Sequence, residues 1–597
     1  MSITIFETLP NEILIEIFDY IKQHEIMYLF FNQNRRFNYL LSNYYANDID
    51  LRYTSYKIFN YYCCSIIPLI ASTIRSLKLG YEHCSTEQLY LFSKHLVAFD
   101  NLKYLHLYCR QEQDLELYLK FVKNLYCLTI TIDDHISLSN QMTRCLFNKI
   151  NFLLEECSIR NGVFSLKNHQ YLSICFLQIL TIELEFYSHL LILFDFIPHI
   201  KRLNIKLKWF DFNVYSIINY DYKTIHMKIR HLSNLKLHFN QVLLSNGYNL
   251  IVLLIRHIVS LQHLSLSISY LSNYSVINGQ CMEIDLLSPL SNLIEFNFYF
   301  RFSYNNQQNN SIISSFRNDY WLLKRKQKII SYTDRYENDF YLYSLSFVFD
   351  DIDCISNGIF NYKANDDDDY DDDCIFQSYS TISSATPYAY DLFWSLHDDI
   401  LRMFKNIKCL KFYLNSCRLA NKASSLVLAN VNTIICHYLQ PNQQLFEEHF
   451  SHMLPNVYIL KIDDVSIRHV VDEQSFLDIR NTYFFKHITE LHMNGLIIDD
   501  SNEKTDYILV FLRYFSNIKI IKLQFVIKMH IQLIQSILDL LISNKRCLLS
   551  FIQFYSLHNN FMITDHITEI FRRLLTDRFG HDHCYIHIER YYLKFWK

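Results

Sequence analysis

The chain has 597 residues, a formal net charge of −4 and a pI of about 6.7, a balance that excludes a general attraction to nucleic acid or anionic membrane. Half of its residues are apolar and 16% are aromatic, which excludes a largely disordered chain, and the length exceeds what one compact core usually holds. With 7 glycines and 7 prolines it lacks the turn residues of a β-sandwich and the phosphate loops of a Rossmann-type enzyme, so helices joined by Asn, Asp and Ser turns are favoured.

The first element is "TLPNEILIEIFDYIKQHEIMYLFFNQNRRFNYLL", residues 8–41. Pro10 suits the start of a helix, where its missing N–H costs nothing, and Glu12 sits near the positive helix end. Ile13, Leu14, Ile17, Phe18 and Ile21 form one apolar stripe, and two further short apolar segments follow. Three helices in so few residues bury little apolar area among themselves, so part of the stripe is expected to await a partner. The run Leu9-Pro10, Glu12, Ile13-Leu14, Ile17-Phe18 and Tyr20 resembles an F-box, and Leu29, Asn34, Arg35, Arg36, Phe37 and Leu40 follow its later part. The resemblance implies a small all-α F-box over 1–45, a helical linker over 46–73, and docking on the adaptor subunit of an SCF-type cullin–RING ubiquitin ligase. Leu9, Pro10, Glu12, Ile13, Leu14, Ile17 and Phe18 would be its adaptor-binding residues.

From residue 74 an apolar frame at i, i+3 and i+5 recurs sixteen times, starting at Ile74, Leu102, Leu125, Leu154, Leu177, Ile200, Leu232, Leu261, Leu293, Leu342, Ile407, Val431, Val457, Ile488, Ile518 and Leu549. Apart from gaps of 49 and 65, the spacings run from 23 to 32 residues. Helical patterns lie between frames: "STEQLYLFSKHLVAF" opens with Ser85 and Gln88 as a capping box and carries Leu89, Phe92, Leu96 and Phe99 on one face. Strand followed by helix, repeated, requires a parallel sheet with right-handed crossovers. The strands alternate instead of running continuously apolar, so one sheet face is expected to be wet.

The pattern resembles leucine-rich repeats of the ribonuclease-inhibitor-like kind, over about 74–597, with the family's asparagine at i+8 present as Asn240 and Asn415. The resemblance implies an α/β solenoid, parallel strands on its concave face and helices outside, and protein binding on the strand face. Substrate contacts would come from Tyr104, His106, Tyr108, Arg202, Lys206, Lys236, His238, His263, Glu490, His492, Lys522 and Gln524. Polar inserts are expected near 303–319 and 351–386, the second holding the acidic run "NDDDDYDDD" at 365–373.

No chemical motif competes. The acidic run lacks the glycine and glutamate of a calcium loop, and "KRKQK" at 324–328 reads as a solvated helix face. "GHDHCYIHIER" gathers His581, His583, Cys584 and His587, but the alternation of Ile586 and Ile588 with Tyr585 and His587 reads as a last strand, so no metal is expected. Nucleotide-binding, nucleophile-elbow and zinc-protease signatures are absent, and neither an enzyme nor a cofactor is expected. The 16 cysteines include no C-x-x-C pair, residues 1–20 lack a basic leader, and no apolar run is long enough to span a bilayer. The expectation is a cytoplasmic or nuclear substrate-recognition subunit of a ubiquitin ligase, bound through its adaptor to a cullin and holding a protein substrate, with no nucleic acid or membrane partner. A leucine-rich-repeat scaffold without ligase role, its first helices capping the array, is the alternative.

Overall fold

A computed structural model describes residues 5–344, less residue 53 and parts of 81–98, 110–124, 140–153, 167–174, 211–219, 243–245, 272–276, 304–308, 328 and 335–338; beyond 344 it describes mainly the strands named below. The chain divides into two compact units, Met1–Tyr320 and Trp321–Lys597.

The first unit opens with a 3-10 turn, Ile5–Thr8, and three helices: α1 (Asn11–Asp19), α2 (Gln23–Phe30) and α3 (Arg35–Tyr44). Pro10 precedes α1 in extended backbone, and its carbonyl accepts the Leu14 N–H at 3.1 Å. Asn34 caps α3 by accepting the Phe37 N–H at 2.8 Å. Asn32, between α2 and α3, takes a left-handed φ of 66°, which asparagine tolerates better than most residues, and Asn38 Oδ1 accepts its N–H at 2.7 Å.

Ten parallel strands follow: β1 (Asp48–Asp50), β2 (Ser76–Leu79), β3 (Tyr104–Cys109), β4 (Cys127–Leu138), β5 (Glu156–Phe164), β6 (Ile179–Phe186), β7 (Arg202–Trp209), β8 (Asn234–Phe239), β9 (His263–Leu271) and β10 (Glu295–Ser303). They are hydrogen-bonded in chain order, and β1 stands at an open edge. The chain therefore forms an α/β structure on a large, open, mostly parallel sheet. Every strand from β2 to β10 starts two residues after its apolar frame, and the starting residues Asp48, Ser76, Tyr104, Cys127, Glu156, Ile179, Arg202, Asn234, His263 and Glu295 share one row.

The approach to each strand repeats one backbone device. Two successive N–H groups, such as those of Lys103 and Tyr104, donate to a single carbonyl of the preceding strand's approach, here Arg75 at 2.8 and 2.9 Å. Lys103 then accepts from Tyr126 and Cys127, and so on to Gln262, which accepts from Ile294 and Glu295. The frame residues supply the core: Leu102, Leu105 and Leu107, like Leu232, Leu235 and Leu237, are at most 2% exposed. Full burial of such a side chain contributes roughly 1.5–3 kcal/mol.

Connecting helices close this core. The Tyr187–Leu193 helix presents Tyr187, which stacks on Phe210 at 4.7 Å, approaches Phe239 of β8 at 6.3 Å, and donates its hydroxyl to the Leu250 carbonyl at 3.1 Å. The Ser85–Ser93 helix buries Leu89 and Phe92 as expected. Its Gln88, read as half of a capping box, does something else: the amide oxygen accepts the Gly80 N–H at 2.9 Å and the amide nitrogen donates to the Leu51 carbonyl at 3.1 Å. Gly80 leaves β2 with a left-handed φ of 74°, which glycine adopts without strain, and Gln88 satisfies the turn that results.

In the second unit β11 (Ile329–Asp334) pairs antiparallel with β12 (Asp339–Ser344). After β13 (Asp351–Ile355) comes β14 (Lys363–Ala364), also antiparallel to β11. The strands β15 (Ser384–Pro387), β16 (Cys409–Tyr413), β17 (Thr433–His437), β18 (Ile459–Asp463), β19 (Glu490–Leu496), β20 (Ile520–Phe525) and β21 (Phe551–Ser556) add to β13 in chain order as a second parallel sheet. It ends in antiparallel β22 (Tyr585–Glu589) and β23 (Tyr592–Trp596), with β23 beside β21. The frame offset of two residues holds again from Ile407 to Leu549.

Leu342 is the exception among the sixteen frames. It lies inside antiparallel β12, all six residues of which are buried, so its spacing reflects a strand covered on both faces and not a repeat. The intervals 303–319 and 351–386 contain the Asn309–Ser314 helix and the strands β13 to β15. The run 365–373 lies outside the described residues.

Candidate functional site

The N-terminal helices close over a small aromatic core. Leu14 of α1 and Phe37 and Leu40 of α3 are buried together, with Phe6, Leu9, Ile15 and Phe30 against them. Phe18 is fully buried, 5.0 Å from the Phe30 ring, and Phe6 stacks on Phe30 at 5.4 Å. Arg36 ties the segment ahead of α1 down: its guanidinium donates to the Glu7 carbonyl and to Asn11 Oδ1, both at 2.7 Å, and to the Leu9 carbonyl. Tyr45 donates to Asp19 at 2.9 Å and to the Ile15 carbonyl at 3.2 Å; burial and the neighbouring carboxylate push its phenol up.

The expected adaptor-binding set therefore splits. Pro10, Glu12 and Ile13 are exposed, Leu9 and Ile17 are half-buried, and Leu14 and Phe18 face inward. The last two hold the helices together and present no surface to a partner. One-hundred-degree steps along α1 put Pro10, Ile13, Ile17 and Tyr20 on a single outward stripe, with Ile13 41% and Tyr20 86% exposed. This stripe is one apolar surface that the three-helix core leaves uncovered; Leu29 on α2 and Tyr39 and Tyr44 on α3 are exposed as well.

The helices are also fastened to the start of the sheet. Gln23 of α2 donates to the carbonyls of Tyr45 and Asp48, and Tyr62 donates to the His24 carbonyl at 3.2 Å. Tyr28 meets Tyr61 edge-on at 5.1 Å, while Ile26 and Met27 are fully buried.

On the first sheet the outward side chains form rows across the strands. Tyr104 is 48% exposed and meets Tyr126 edge-on at 5.9 Å. His106 and Tyr108 are half-buried beside it, and burial with the nearby Arg52 guanidinium lowers the His106 imidazole. Arg52 is itself held by Asp50 at 2.6 Å. Further along, Arg202 is exposed, and Lys206, Lys236 and His238 are half-buried. His238 contacts Ser267 Oγ through Nδ1 at 2.8 Å and Asn240 Oδ1 through Nε2 at 3.0 Å. Asn240 accepts there, so Nε2 carries the proton and the Ser267 hydroxyl donates to Nδ1 of the neutral ring. His263 pairs with Glu295 at 3.0 Å.

On the second sheet Glu490 is half-buried, but His492 and Lys522 are only 3% and 7% exposed. Both were expected on an open face. They are register partners of one another, in a row with Lys461 and Gln553, while the row of Glu490 holds Ile459 and Ile520; Ile520 is 8% exposed, so the outward positions here are partly apolar and covered. Gln524 lies in β20, its side chain outside the described residues. Sequence reasoning passed over Arg36 as an anchor; the polar bridge from α3 to the start of α1 leaves no periodic trace.

His587 lies in β22, whereas His581, His583 and Cys584 fall outside the described residues. Among the described residues no group of three or more His, Cys, Asp or Glu could hold a metal ion, and no helix is long and apolar enough to cross a membrane.

No family model matches the chain, and no curated protein matches it. Among solved structures, a chain of the Toll–Spatzle complex, titled a molecular hub in Drosophila development and innate immunity, aligns with 12% identity over 80% of this chain and 75% of that one, with a TM-score of 0.16. A likeness that weak carries no argument about fold or function.

Proposed function

We propose that the chain is a substrate-recognition subunit of an SCF-type ubiquitin ligase. Its helices over 1–45 act as an F-box, and its sheets belong to a leucine-rich-repeat-like solenoid whose strand face holds a protein substrate. The supporting observation is the split of α1: Leu14 and Phe18 are spent on a core shared with α3, while Pro10, Ile13, Ile17 and Tyr20 lie outward on one stripe. An exposed apolar stripe on a folded module is what a docking partner buries. In this reading the chain performs no bond chemistry and uses no cofactor. It raises the substrate's effective concentration near the ubiquitin-carrying enzyme by holding both at once.

Co-purification with the SCF adaptor tests the reading. The intact chain is expected to retain the adaptor, and Pro10→Ala with Ile13→Ala to lose it while circular dichroism stays unchanged. A folded wild-type chain that binds no adaptor overturns the proposal.

One observation favours the second reading, a scaffold whose first helices cap the array. The bonds from Gln23 to Asp48 and from Tyr62 to His24 fasten α2 to the beginning of the sheet, as a cap would be fastened. Docking and capping draw on different faces of the same helices, so adaptor binding decides between the two readings and fastening alone does not.

A further inference from the structure

The outward positions of β7, β8 and β9 form a cationic stripe. They carry Arg202, Lys206, Lys208 and Lys236, with Asn, Ser and two histidines between them and no carboxylate. Acids flank it on both sides. Glu183 and Glu185 lie on β6, where Glu183 is opposite Lys206 in the register and is buried. Glu295 lies on β10, its carboxylate already accepting from Asn297 at 2.7 Å and facing His263 Nδ1 at 3.0 Å.

We infer that this stripe binds an extended acidic segment of a protein partner, with carboxylates at alternate positions, lying along β7 and β8. This deepens the proposed reading and rests on its claim that the strand face is the partner-binding surface.

Two features of the geometry support the assignment. Side chains on one face of a strand recur about every 6.7 Å, and alternate residues of an extended peptide recur at the same interval. Arg202, Lys206 and Lys208 fall on multiples of that step, so a peptide beside β7 brings its carboxylates into register with them. The named cations stand on two adjacent strands, roughly 5 Å apart, with Glu183 and Glu185 beside them on β6 and Glu295 and Arg301 beyond β9 on β10. A pair of cationic strands suits one extended chain, and the carboxylates on β6 oppose a wider polyanion such as a nucleic-acid duplex. Lys206 stands opposite His238 in the register and Lys236 lies two positions before it on β8, and burial, then Lys206, then Lys236 lower the His238 imidazole to about 4. His238 stays neutral there, and its bonds to Ser267 and Asn240 brace the surface from which the lysines project.

The test uses the full chain and fluorescence anisotropy with a labelled short peptide of alternating Glu and Thr. Its comparators are the Gln-Thr analogue, a peptide of the same composition with Glu and Thr in separate blocks, and a short duplex oligonucleotide. The alternating acidic peptide is expected to bind tightest and to lose affinity as salt rises. Lys206→Gln with Lys236→Gln is expected to weaken it about tenfold, two partly exposed charge pairs together being worth on the order of 1.4 kcal/mol. Lys78→Gln on β2 should leave it unchanged. Equal binding of the Gln-Thr or block peptide, tighter binding of the oligonucleotide, or an unaffected double variant overturns the inference. Adaptor co-purification of the double variant is read in parallel. If the peptide binds and the adaptor does not, the ligase reading falls and this one stands; the converse result sinks this one alone.

Discussion

Single side chains carry several of the fold's fixed points, and Gly279 is the most exacting. A Cβ there would lie 2.4 Å from the Ser315 carbonyl oxygen, and the Gly279 N–H already donates to Ser315 Oγ at 2.6 Å. Backbone does not yield as a side-chain tip does, so Gly279→Ala is expected to cost about 1–3 kcal/mol, read from the urea midpoint. Arg36 is a second such point. Arg36→Lys cannot reproduce three forked bonds to Glu7, Leu9 and Asn11, so both Arg36→Lys and Arg36→Ala should speed proteolysis ahead of α1. His238 gives a pH test. Its folded pKa, about 4, lies below the ordinary 6.5 of the unfolded chain. The neutral ring therefore contributes its stability fully above about pH 6.5, and that contribution declines as pH falls through about 4. His238→Asn should flatten the loss of urea midpoint between those pH values; an unchanged slope would show that the ring is not held neutral.

At the scale of the strand, the frame reports burial directly. Leu237→Ala should cost about 2–5 kcal/mol, while Asn234→Ala, three strand positions from it on the other face, should stay within about 0.5 kcal/mol in the same denaturation experiment. The sequence located nearly every parallel strand because a buried residue at i, i+3 and i+5 is what a strand and its approach demand. It missed β1, β13 and β15; the β13 frame, Phe349, Ile352 and Cys354, lies among aromatic and acidic residues that hid it, and the other two each include an alanine. Ala46, Ile49 and Leu51 have the same spacing and are all buried, and Ile382, Ala385 and Pro387 repeat it, but alanine did not register as apolar enough. β11, β14 and β23 pair antiparallel and obey no repeat. The outward stripe of α1 was half legible. The periodicity found the apolar side of α1, but Leu14 and Phe18 differ from Ile13 and Ile17 only by which neighbour reaches them, and α3 supplies that neighbour. Of the cationic stripe, Arg202, Lys206 and Lys236 were legible in the sequence and Lys208 was not; nor was the pairing that sets β7 beside β8.

Over the molecule as a whole, stability is expected to be local, because each strand leans mainly on the ones beside it. Deleting residues 1–45 removes the cover of Ile49, Phe59 and Tyr62, so hydrogen exchange should quicken in β2 and β3 and stay slow in β8 and β9. Uniformly fast exchange would mean that the first unit melts as one body. The paired N–H groups on a single carbonyl at each strand approach bear on how such a chain can diverge. They are main-chain bonds, thirteen pairs of them among the described residues, and they specify neither side chain nor connection length. The scaffold thus works as a ruler with fixed graduations and adjustable margins. A lineage can rewrite every outward residue, and lengthen or shorten each connection, without losing the register that keeps the outward rows aligned. A deep mutational scan would show that freedom as a comb: sharp intolerance at i, i+3 and i+5, and wide latitude at the teeth between.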